Sequence, residues 1–446
     1  MSCGVIWPSI GRCIRSSSIK QDLGEDSMAD TEIAKSGDAA RYIRYGLIAL
    51  LFFGTALNYL DRQVLALLKP TLQVEFGWTD REFGHFGSAF QIATAVALLG
   101  VGWFIDRFGV RWGYGLAVAI WSLAGMGHAF ASSVGQFVAA RVTLAVAESV
   151  NTPAAMKSAA TYLPIRERSI GIGVINSASN IGAILAPLTV PWIAIMYGWR
   201  EAFIITGALG FVWLLFWWLG TSKLQPLGTA APTIANPADK GPPWRELLKE
   251  RRTWAVAGAK LLTDLVWWFI LFWAPDFFAR QFGLGQAEIG APTAIVYALA
   301  AVGALTSGIL FPILLGKGMT PNAARKSSML FYALLILPIP LALQAPNEWV
   351  AALIIGLALF AHQGFSTNIF GMTADIVPAR QVGSVIAIGA LVGNLSGAAM
   401  LEFAGWSLDA GLGYTPMFAI CASAYLLALL WIHIMQPRLV VVNDAD

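Results

Sequence analysis

The stretch GWFIDRFGVRWG, from Gly102 to Gly113, carries three charged side chains between two long apolar runs. The runs before and after it, 82–104 and 112–131, are each long enough to cross a hydrocarbon layer of about 30 Å as a helix. A charged stretch of this length between two such runs predicts a tight connection at a membrane surface.

The composition of the whole chain agrees with a membrane protein. Of its 446 residues, 57% are hydrophobic and 12% are charged, whereas soluble domains contain about 25% charged residues. The apolar runs are continuous and do not alternate at every second residue, which favours helices over a β-barrel. We therefore predict an all-α polytopic protein of the bacterial inner (plasma) membrane.

Twelve apolar spans predict twelve transmembrane helices, and the Pro-rich polar segment 222–252 divides them into two bundles of six. The spans are 43–68, 82–104, 112–131, 136–162, 168–194, 199–220, 253–278, 288–315, 324–344, 348–374, 381–404 and 414–436. The predicted organisation is a disordered cytoplasmic tail 1–42, an N-terminal bundle 43–221, a cytoplasmic linker 222–252, a C-terminal bundle 253–436 and a cytoplasmic tail 437–446.

The distribution of basic residues predicts the orientation. The chain has 29 Lys and Arg residues. On one side of the membrane the loops contain only Lys69, Arg81, Arg200 and Arg280, four others lie within spans, and the rest fall on the other side. Basic residues collect in cytoplasmic loops, so we predict that both termini are cytoplasmic.

Two adjacent charges, Asp61 and Arg62, interrupt the first apolar span in ALNYLDRQVLALL. A charge at membrane depth costs about 2.5–3.5 kcal/mol on insertion scales, and it usually faces a bundle interior or a watery cavity. One interpretation is a structural Asp–Arg pair between helices. The functional interpretation is that Arg62 offers two parallel donors to an anionic substrate while Asp61 accepts a proton. Tyr59, one turn earlier, shares the face of Arg62.

The fourth span contains a second pair of charges, Arg141 and Glu148. Seven residues separate them, so both lie on one face, about 10 Å apart along the helix axis. A carboxyl group that alternates between pairing with an arginine and binding a proton is suited to proton transport. Glu148 is therefore a candidate proton carrier, and the alternative is a buried salt bridge between helices.

Fewer charges occur in the second half. Lys260 and Asp264 are four residues apart, which predicts a local ion pair, and Trp267 or Trp268 is placed to stack on a sugar ring or to face lipid. Small residues allow helices to approach closely, so Gly389, Gly393 and Gly397 predict a tight packing face. Further inward-facing polar side chains are predicted at His362, Gln363, Ser366, Asn368 and Asn394.

The pattern G-x-x-x-D-R-x-G-x-R in the opening stretch resembles the loop signature of the major facilitator superfamily. This resemblance implies a role in gating for Gly102, Asp106, Arg107, Gly109 and Arg111. We expect Gly102 to allow close helix contact and Asp106 to cap a helix of the neighbouring half. Arg107 and Arg111 are expected to remain among the lipid headgroups.

Longer stretches, including NYLDR and AHQGFSTN, resemble the hexuronate transporters of the anion:cation symporter family. The resemblance implies proton-coupled uptake of a sugar acid such as glucuronate or galacturonate. It also implies that Tyr59, Arg62 and Asn394 contact the substrate and that Asp61 and Glu148 are the protonatable pair. The sequence departs from the family where Thr94, Leu98 and Ser179 replace residues that line the cavity.

The predicted function is thus secondary active transport driven by a proton gradient, without cofactor or enzymatic activity. Alternatives are symport of another organic anion, such as an aldonate or a small aromatic acid, and proton-driven drug export. The cysteines lack metal-ligand spacing, so no metal site is expected. The expected partners are a sugar acid, protons and lipid but no nucleic acid. The expected functional unit is a monomer. The predicted substrate-binding residues are Tyr59, Arg62, Arg141, Ser179, Trp267, Gln363, Asn368 and Asn394.

Overall fold

The computed structural model describes residues 19–222 and 244–439, nearly all of them helical. In these ranges the helices are α1 (Ile19–Phe76), α2 (Asp80–Gly127), α3 (Val134–Glu148), α4 (Asn151–Tyr162), α5 (Ile165–Tyr197), α6 (Trp199–Thr221), α7 (Trp244–Leu247), α8 (Arg251–Phe282), α9 (Gly290–Thr306), α10 (Leu310–Gly316), α11 (Pro321–Ile336), α12 (Glu348–Ile376), α13 (Ala379–Asp409) and α14 (Thr415–Met435), with short 3-10 helices at His128–Phe130 and Ile339–Gln344. Residues up to Leu47 form one unit and those from Ile48 form another, and every contact below lies within the second.

The helices cross the membrane twelve times, as predicted from the sequence. Within the described ranges, ten helical segments are long and apolar enough to cross. One of them, Asp80–Phe130, is 51 residues long and makes two crossings, because its helix breaks at Gly109, where φ is 71°. Glycine adopts this left-handed conformation without steric cost. The short helices α3 and α4 together make the remaining crossing.

Two crossings that the sequence analysis treats as continuous are broken in the structure. The spans 136–162 and 288–315 are interrupted after Glu148 and after Thr306. Each break precedes a proline, Pro153 or Pro312, whose missing N–H leaves the carbonyl four residues earlier without its helical partner. The break in the first of these places Glu148 at a helix end, where its carbonyl accepts a hydrogen bond from Asn58 Nδ2 at 3.3 Å.

The predicted segment boundaries differ from the structure at the ends of the bundles. Helix α1 begins at Ile19, inside the stretch 1–42 for which a disordered tail is predicted. Residues 1–18, most of the predicted linker (223–243) and the end of the C-terminal tail (440–446) lie outside the described residues.

The two ends of the bundles define two membrane faces. Helix α6 ends and α8 begins at the face that carries the linker, which we call the linker face. The Gly109 turn lies on this face too, because Trp217 Nε1 donates to the Arg111 carbonyl at 3.0 Å. At the opposite face the halves are joined directly: Gln286 donates to the Leu67 carbonyl at 2.7 Å. The Asp409 carboxylate accepts from the backbone N–H groups that begin α2, both at 2.9 Å.

A group of four charges, the Lys69 cluster, joins the halves at the opposite face, and all of its members except Arg280 are buried. It consists of Lys69 and Asp80 from the N-terminal half and Asp276 and Arg280 from the C-terminal half. Lys69 Nζ lies 2.7 Å from Asp80 Oδ1 and 2.6 Å from Asp276 Oδ1. Arg280 Nε lies 2.9 Å from Asp276 Oδ2, and its guanidinium also contacts Asp80. Each carboxylate therefore has a cation from its own half and one from the other half.

Replacing Lys69 with Met is expected to destabilise the protein, because Asp80 and Asp276 then share Arg280 as their remaining cation in the cluster. Removing one partner of a buried ion pair costs about 3–5 kcal/mol. Thermal unfolding of the purified protein in detergent measures the loss. The double variant Lys69→Met/Asp276→Asn, which restores charge balance, is expected to recover part of it, and equal stability of wild type and Lys69→Met would contradict the assignment.

Helices α1 and α5 pack closely at Gly182, where an added Cβ would overlap the Ala56 carbonyl oxygen. We expect Gly182→Ala to lower the free energy of unfolding by about 1–3 kcal/mol, the usual cost of overpacking. Gly173→Ala is the matched control on the same helix, since a Cβ there would meet no atom within 4 Å. If both variants melt at the same temperature, close packing at Gly182 does not contribute to stability.

Candidate functional site

A small cavity lies between the two halves, with a cationic wall on one side and an aromatic wall on the other. Its volume is about 20 Å³, enough for roughly one water molecule. A larger solute at these side chains requires the halves to separate there. The lining residues are Arg62, Gly87, Phe90, Gln91 and Arg141 from the N-terminal half and Trp268, Leu271, Phe272 and Leu401 from the C-terminal half.

Arg62 forms its ion pair with Glu148. Its Nε lies 2.8 Å from Glu148 Oε2, and the two side chains are 12% and 0% exposed. The pair joins α1 to the broken end of α3, so Arg62 does not form the local Asp–Arg pair that the sequence also permits. The Arg62 guanidinium lies 5.1 Å from the centre of the Tyr59 ring, which confirms that these two side chains share a face.

Arg141 is buried close to Arg62. Its Nη2 lies 3.5 Å from the Arg62 carbonyl oxygen, and its Nε has no hydrogen-bond partner. Both guanidinium groups lie over the Phe90 ring, at 4.6 Å for Arg141 and 5.5 Å for Arg62. An aromatic face attracts cations, so Phe90 holds the two like charges together. Across the described residues, Arg141 has no ion pair with a carboxylate.

Two buried carboxyl groups of the same half retain unused oxygen atoms. Asp61 is buried in α1, and within the part of the chain that the structure describes its Oδ1 has no hydrogen-bond partner; the same is true of Glu148 Oε1. Buried polar atoms are almost always paired in native structures. The unpaired oxygen of Glu148, whose other oxygen contacts Arg62, therefore marks a place where a proton or a donor group of a bound solute fits.

The aromatic wall comes from Trp268, and Trp267 lies elsewhere. Trp268 lines the cavity, whereas the Trp267 ring stacks on His362 at 5.1 Å. His362 in turn contacts the Tyr425 hydroxyl at 2.6 Å inside the C-terminal half. Trp268, and not the predicted Trp267, is therefore the tryptophan that lines the cavity.

The glycine face of α13 packs against α8, as predicted. An added Cβ would meet Lys260 and Val256 at Gly389, Asp264 at Gly393 and Trp268 at Gly397. The predicted local ion pair is also present, with Lys260 Nζ 2.7 Å from Asp264 Oδ1. This close packing fixes the position of Trp268 at the cavity.

Five other predicted substrate-binding residues do not line the cavity around the arginines, and one of them is Tyr59, which contacts the Arg62 guanidinium instead. Asn368 donates to Ser328 Oγ at 3.1 Å and so joins two helices. Ser179 Oγ donates to the Asn176 carbonyl at 2.7 Å, within its own helix. Asn394 is buried, donates to the Ala390 carbonyl and keeps a free Oδ1. Gln363 is half-buried in α12.

The predicted gating residues gather at the linker face. Gly109 provides the break described above. Asp106 forms an ion pair with Lys157 of its own half, so the expectation that it caps a helix of the neighbouring half is wrong for this structure. A Cβ at Gly102 would meet no atom within 4 Å, because the halves are joined at the opposite face. Arg107 is exposed, and the Arg111 guanidinium lies 5.4 Å from the Trp218 ring.

The sequence analysis missed several residues that line the cavity, of which Phe90 and Gln91 matter most. It considered Thr94 and Leu98, one and two turns further along α2, where the Thr94 hydroxyl donates to the Phe90 carbonyl at 2.9 Å. A lone amide within an apolar span was a usable signal for Gln91. In the described ranges, no group of three or more His, Cys, Asp and Glu side chains is placed to hold a metal ion.

Comparison with known proteins gives consistent matches. The family model described as Major Facilitator Superfamily matches residues 51–400. A hexuronate transporter of Escherichia coli K12 is 27% identical over 410 residues, covering 87% of this chain and 93% of that protein. A galacturonate transporter of Dickeya chrysanthemi is 29% identical, covering 66% and 89%. A D-galactonate transporter of Escherichia coli O6:H1 is 26% identical, covering 87% and 94%.

Solved structures share the fold. A bacterial homologue of the human lysosomal transporter Spinster, in an inward-facing and occupied conformation, gives a TM-score of 0.68 with 19% identity, covering 88% of this chain and 95% of that one. A D-xylose–proton symporter gives a TM-score of 0.67 with 16% identity, covering 87% and 97%.

Proposed function

Because the chain belongs to the major facilitator superfamily, we propose that it is a proton-coupled symporter that takes up a sugar-acid anion, most simply a hexuronate such as glucuronate or galacturonate. The relatives named for hexuronate, galacturonate and D-galactonate support this substrate class. The observation that carries the proposal is the buried contact between Arg62 Nε and Glu148 Oε2 at 2.8 Å. It links an anion-binding group to a carboxyl group that can take a proton.

Arg62 is suited to bind the substrate carboxylate. Its Nε is occupied by Glu148, and its two terminal nitrogens remain available in the planar arrangement that matches a carboxylate. Arg141, which has no carboxylate partner among the described residues, supplies a second positive charge at the same cavity. We assign Arg62 and Arg141 as the anion site, with Tyr59 and Trp268 as its aromatic neighbours.

Proton coupling follows from competition for Arg62. When the substrate carboxylate binds the terminal nitrogens of Arg62, the Glu148 carboxylate has to share that single cation with a second anion. Two buried carboxylates on one cation are unfavourable, so Glu148 binds a proton as the substrate binds. Asp61, buried nearby in α1, is the second proton site. Loss of substrate restores the pair and releases the proton.

The proposed transport cycle is alternating access, in which the cavity opens to one face of the membrane at a time. We take the linker face as cytoplasmic, from the distribution of Lys and Arg, and both termini as cytoplasmic. The halves are joined at the opposite face by the Lys69 cluster, so the structure corresponds to the state that is closed toward the periplasm. Rocking of the halves about the cavity would then expose Arg62 to each side in turn. We propose the monomer as the transporting unit.

The number of protons sets the driving force. One proton with one monovalent anion moves no net charge and contributes about 1.4 kcal/mol per pH unit. Two protons move one net positive charge and add about 2.3 kcal/mol per 100 mV of membrane potential. The presence of both Asp61 and Glu148 favours two, and the dependence of uptake on membrane potential distinguishes the two cases.

Counterflow in proteoliposomes tests the proposal. Vesicles loaded with unlabelled D-glucuronate or D-galacturonate are expected to take up the labelled sugar acid, with uphill accumulation when an inward proton gradient is imposed. A parallel panel of aldonates, small aromatic acids and cationic amphiphiles covers the alternatives. Counterflow of aromatic acids or amphiphiles without counterflow of any sugar acid would overturn the proposed substrate class.

A further inference from the structure

Gln91 carries a buried amide group at the cavity, and no hydrogen bond among the described residues accounts for its burial. It lies in α2 directly after Phe90, the ring that contacts both guanidinium groups. The residue is 3% exposed, and its Oε1 has no hydrogen-bond partner within the described ranges. Of the described residues that line the cavity, Gln91 has the one neutral polar side chain.

An unpaired amide oxygen in this position favours a ligand that carries a hydrogen-bond donor. A buried acceptor without a donor costs about 1–3 kcal/mol, and a carboxylate cannot relieve that cost because it has no hydrogen to donate. A hydroxyl group can. Sugar acids carry hydroxyl groups on carbons close to the carboxylate, so a carboxylate held by Arg62 and Arg141 brings such a hydroxyl group toward Gln91.

The three positions at which this chain departs from the hexuronate transporters do not supply that contact. The Thr94 hydroxyl is bonded to the Phe90 carbonyl and the Ser179 hydroxyl to the Asn176 carbonyl, and position 98 is a leucine. Of the described N-terminal residues that line the cavity, Gln91 therefore offers the one neutral acceptor for a substrate hydroxyl group.

We propose that Gln91 is a specificity-determining residue whose Oε1 accepts a hydrogen bond from a substrate hydroxyl group. It distinguishes hydroxylated carboxylates from carboxylates of the same size without hydroxyl groups. This inference rests on the proposed function, because it takes the bound carboxylate at Arg62 as its starting point.

The test measures binding of two probes to the purified protein by tryptophan fluorescence. D-glucuronate and cyclohexanecarboxylate each carry one carboxylate on a six-membered ring, but the second has no hydroxyl groups. In Gln91→Met, which keeps the length of the side chain, the Kd for D-glucuronate is expected to rise about tenfold or more while that for cyclohexanecarboxylate stays within about twofold. An unchanged ratio of the two Kd values in Gln91→Met would overturn the inference.

Gln63 provides the matched control. It is also a buried glutamine of the N-terminal half with an unpartnered Oε1, but its Nε2 donates to the Ala183 carbonyl at 3.3 Å between α1 and α5, and it does not line the cavity. Gln63→Met is expected to keep the wild-type ratio of Kd values and to change only the melting temperature. A similar rise in the ratio of the D-glucuronate Kd to the cyclohexanecarboxylate Kd in Gln63→Met would show that the effect is not specific to the cavity and would overturn the inference.

A second variant covers the case in which Gln91→Met does not fold. Gln91→Glu keeps the shape and the acceptor oxygens, but its carboxylate pairs with the neighbouring guanidinium groups and is expected to weaken binding of both probes by about tenfold or more. Wild-type affinity of Gln91→Glu for both probes would overturn the assignment. The proposed function fails separately, if the wild-type protein binds and exchanges no sugar acid at all.

Discussion

Arg62→Lys is expected to reduce sugar-acid counterflow about 100-fold, although the positive charge is kept. Arg62 holds Glu148 through Nε at 2.8 Å and leaves its terminal nitrogens for the substrate. A lysine has a single nitrogen and cannot present a planar pair of donors to a carboxylate while it pairs with Glu148. Hydrogen bonds to charged groups contribute about 1.5–3 kcal/mol, and each 1.4 kcal/mol is tenfold in affinity.

Arg200→Lys is the matched control for this variant. Arg200 also pairs with a carboxylate, Glu75 at 3.1 Å, and also lies over an aromatic ring, that of Trp199 at 4.2 Å. It is half-exposed at the opposite face, away from the cavity. We expect wild-type counterflow from Arg200→Lys, and equal losses in the two variants would show that Arg62 has no special role in binding.

Glu148→Gln is expected to abolish uphill accumulation while counterflow continues. Glutamine has the shape of the protonated glutamic acid but can neither release nor bind a proton. It leaves Arg62 free for the substrate, so exchange of sugar acid across the membrane remains possible. The test measures two activities in the same vesicles: accumulation driven by an imposed proton gradient, and counterflow without a gradient. Loss of the first with retention of the second is the expected result.

The control for coupling is Glu402→Gln. Glu402 pairs with His85 at 2.7 Å between the halves, and its side chain is 40% exposed, whereas Glu148 is fully buried. We expect Glu402→Gln to retain uphill accumulation. Proton-driven accumulation by Glu148→Gln would exclude Glu148 as the coupling residue and would leave Asp61 as the candidate.

The membrane fold and the principal charges of the site were predictable because both follow from local chemistry. Apolar runs of sufficient length predict crossings, and the polar segment 222–252 separates them into two groups of six. Ionisable side chains within such runs are rare enough to identify Arg62, Arg141 and Glu148 directly. The resemblance to hexuronate transporters added the expected roles of these residues.

Contacts between distant segments were not predictable in the same way. Arg62 and Glu148 are 86 residues apart, and neither the helical period nor the spacing of charges relates residues at such a distance in sequence. Rotation about a helix is equally hard to assign, because successive residues point about 100° apart. That rotation separates Trp267, which packs on His362, from Trp268, which lines the cavity. Asn368 could not be recognised as a packing residue without the position of Ser328.

The Lys69 cluster determines how much electrostatic work is needed to part the halves. Lys69 and Asp80 travel together on one side, and Arg280 and Asp276, one helical turn apart, travel together on the other. Each fragment is neutral by itself, so no isolated ion is left in a low-dielectric crevice. Within the cluster, only the Lys69–Asp276 and Arg280–Asp80 contacts are exchanged for water when the halves part, and the electrostatic cost of opening and reclosing it is correspondingly small.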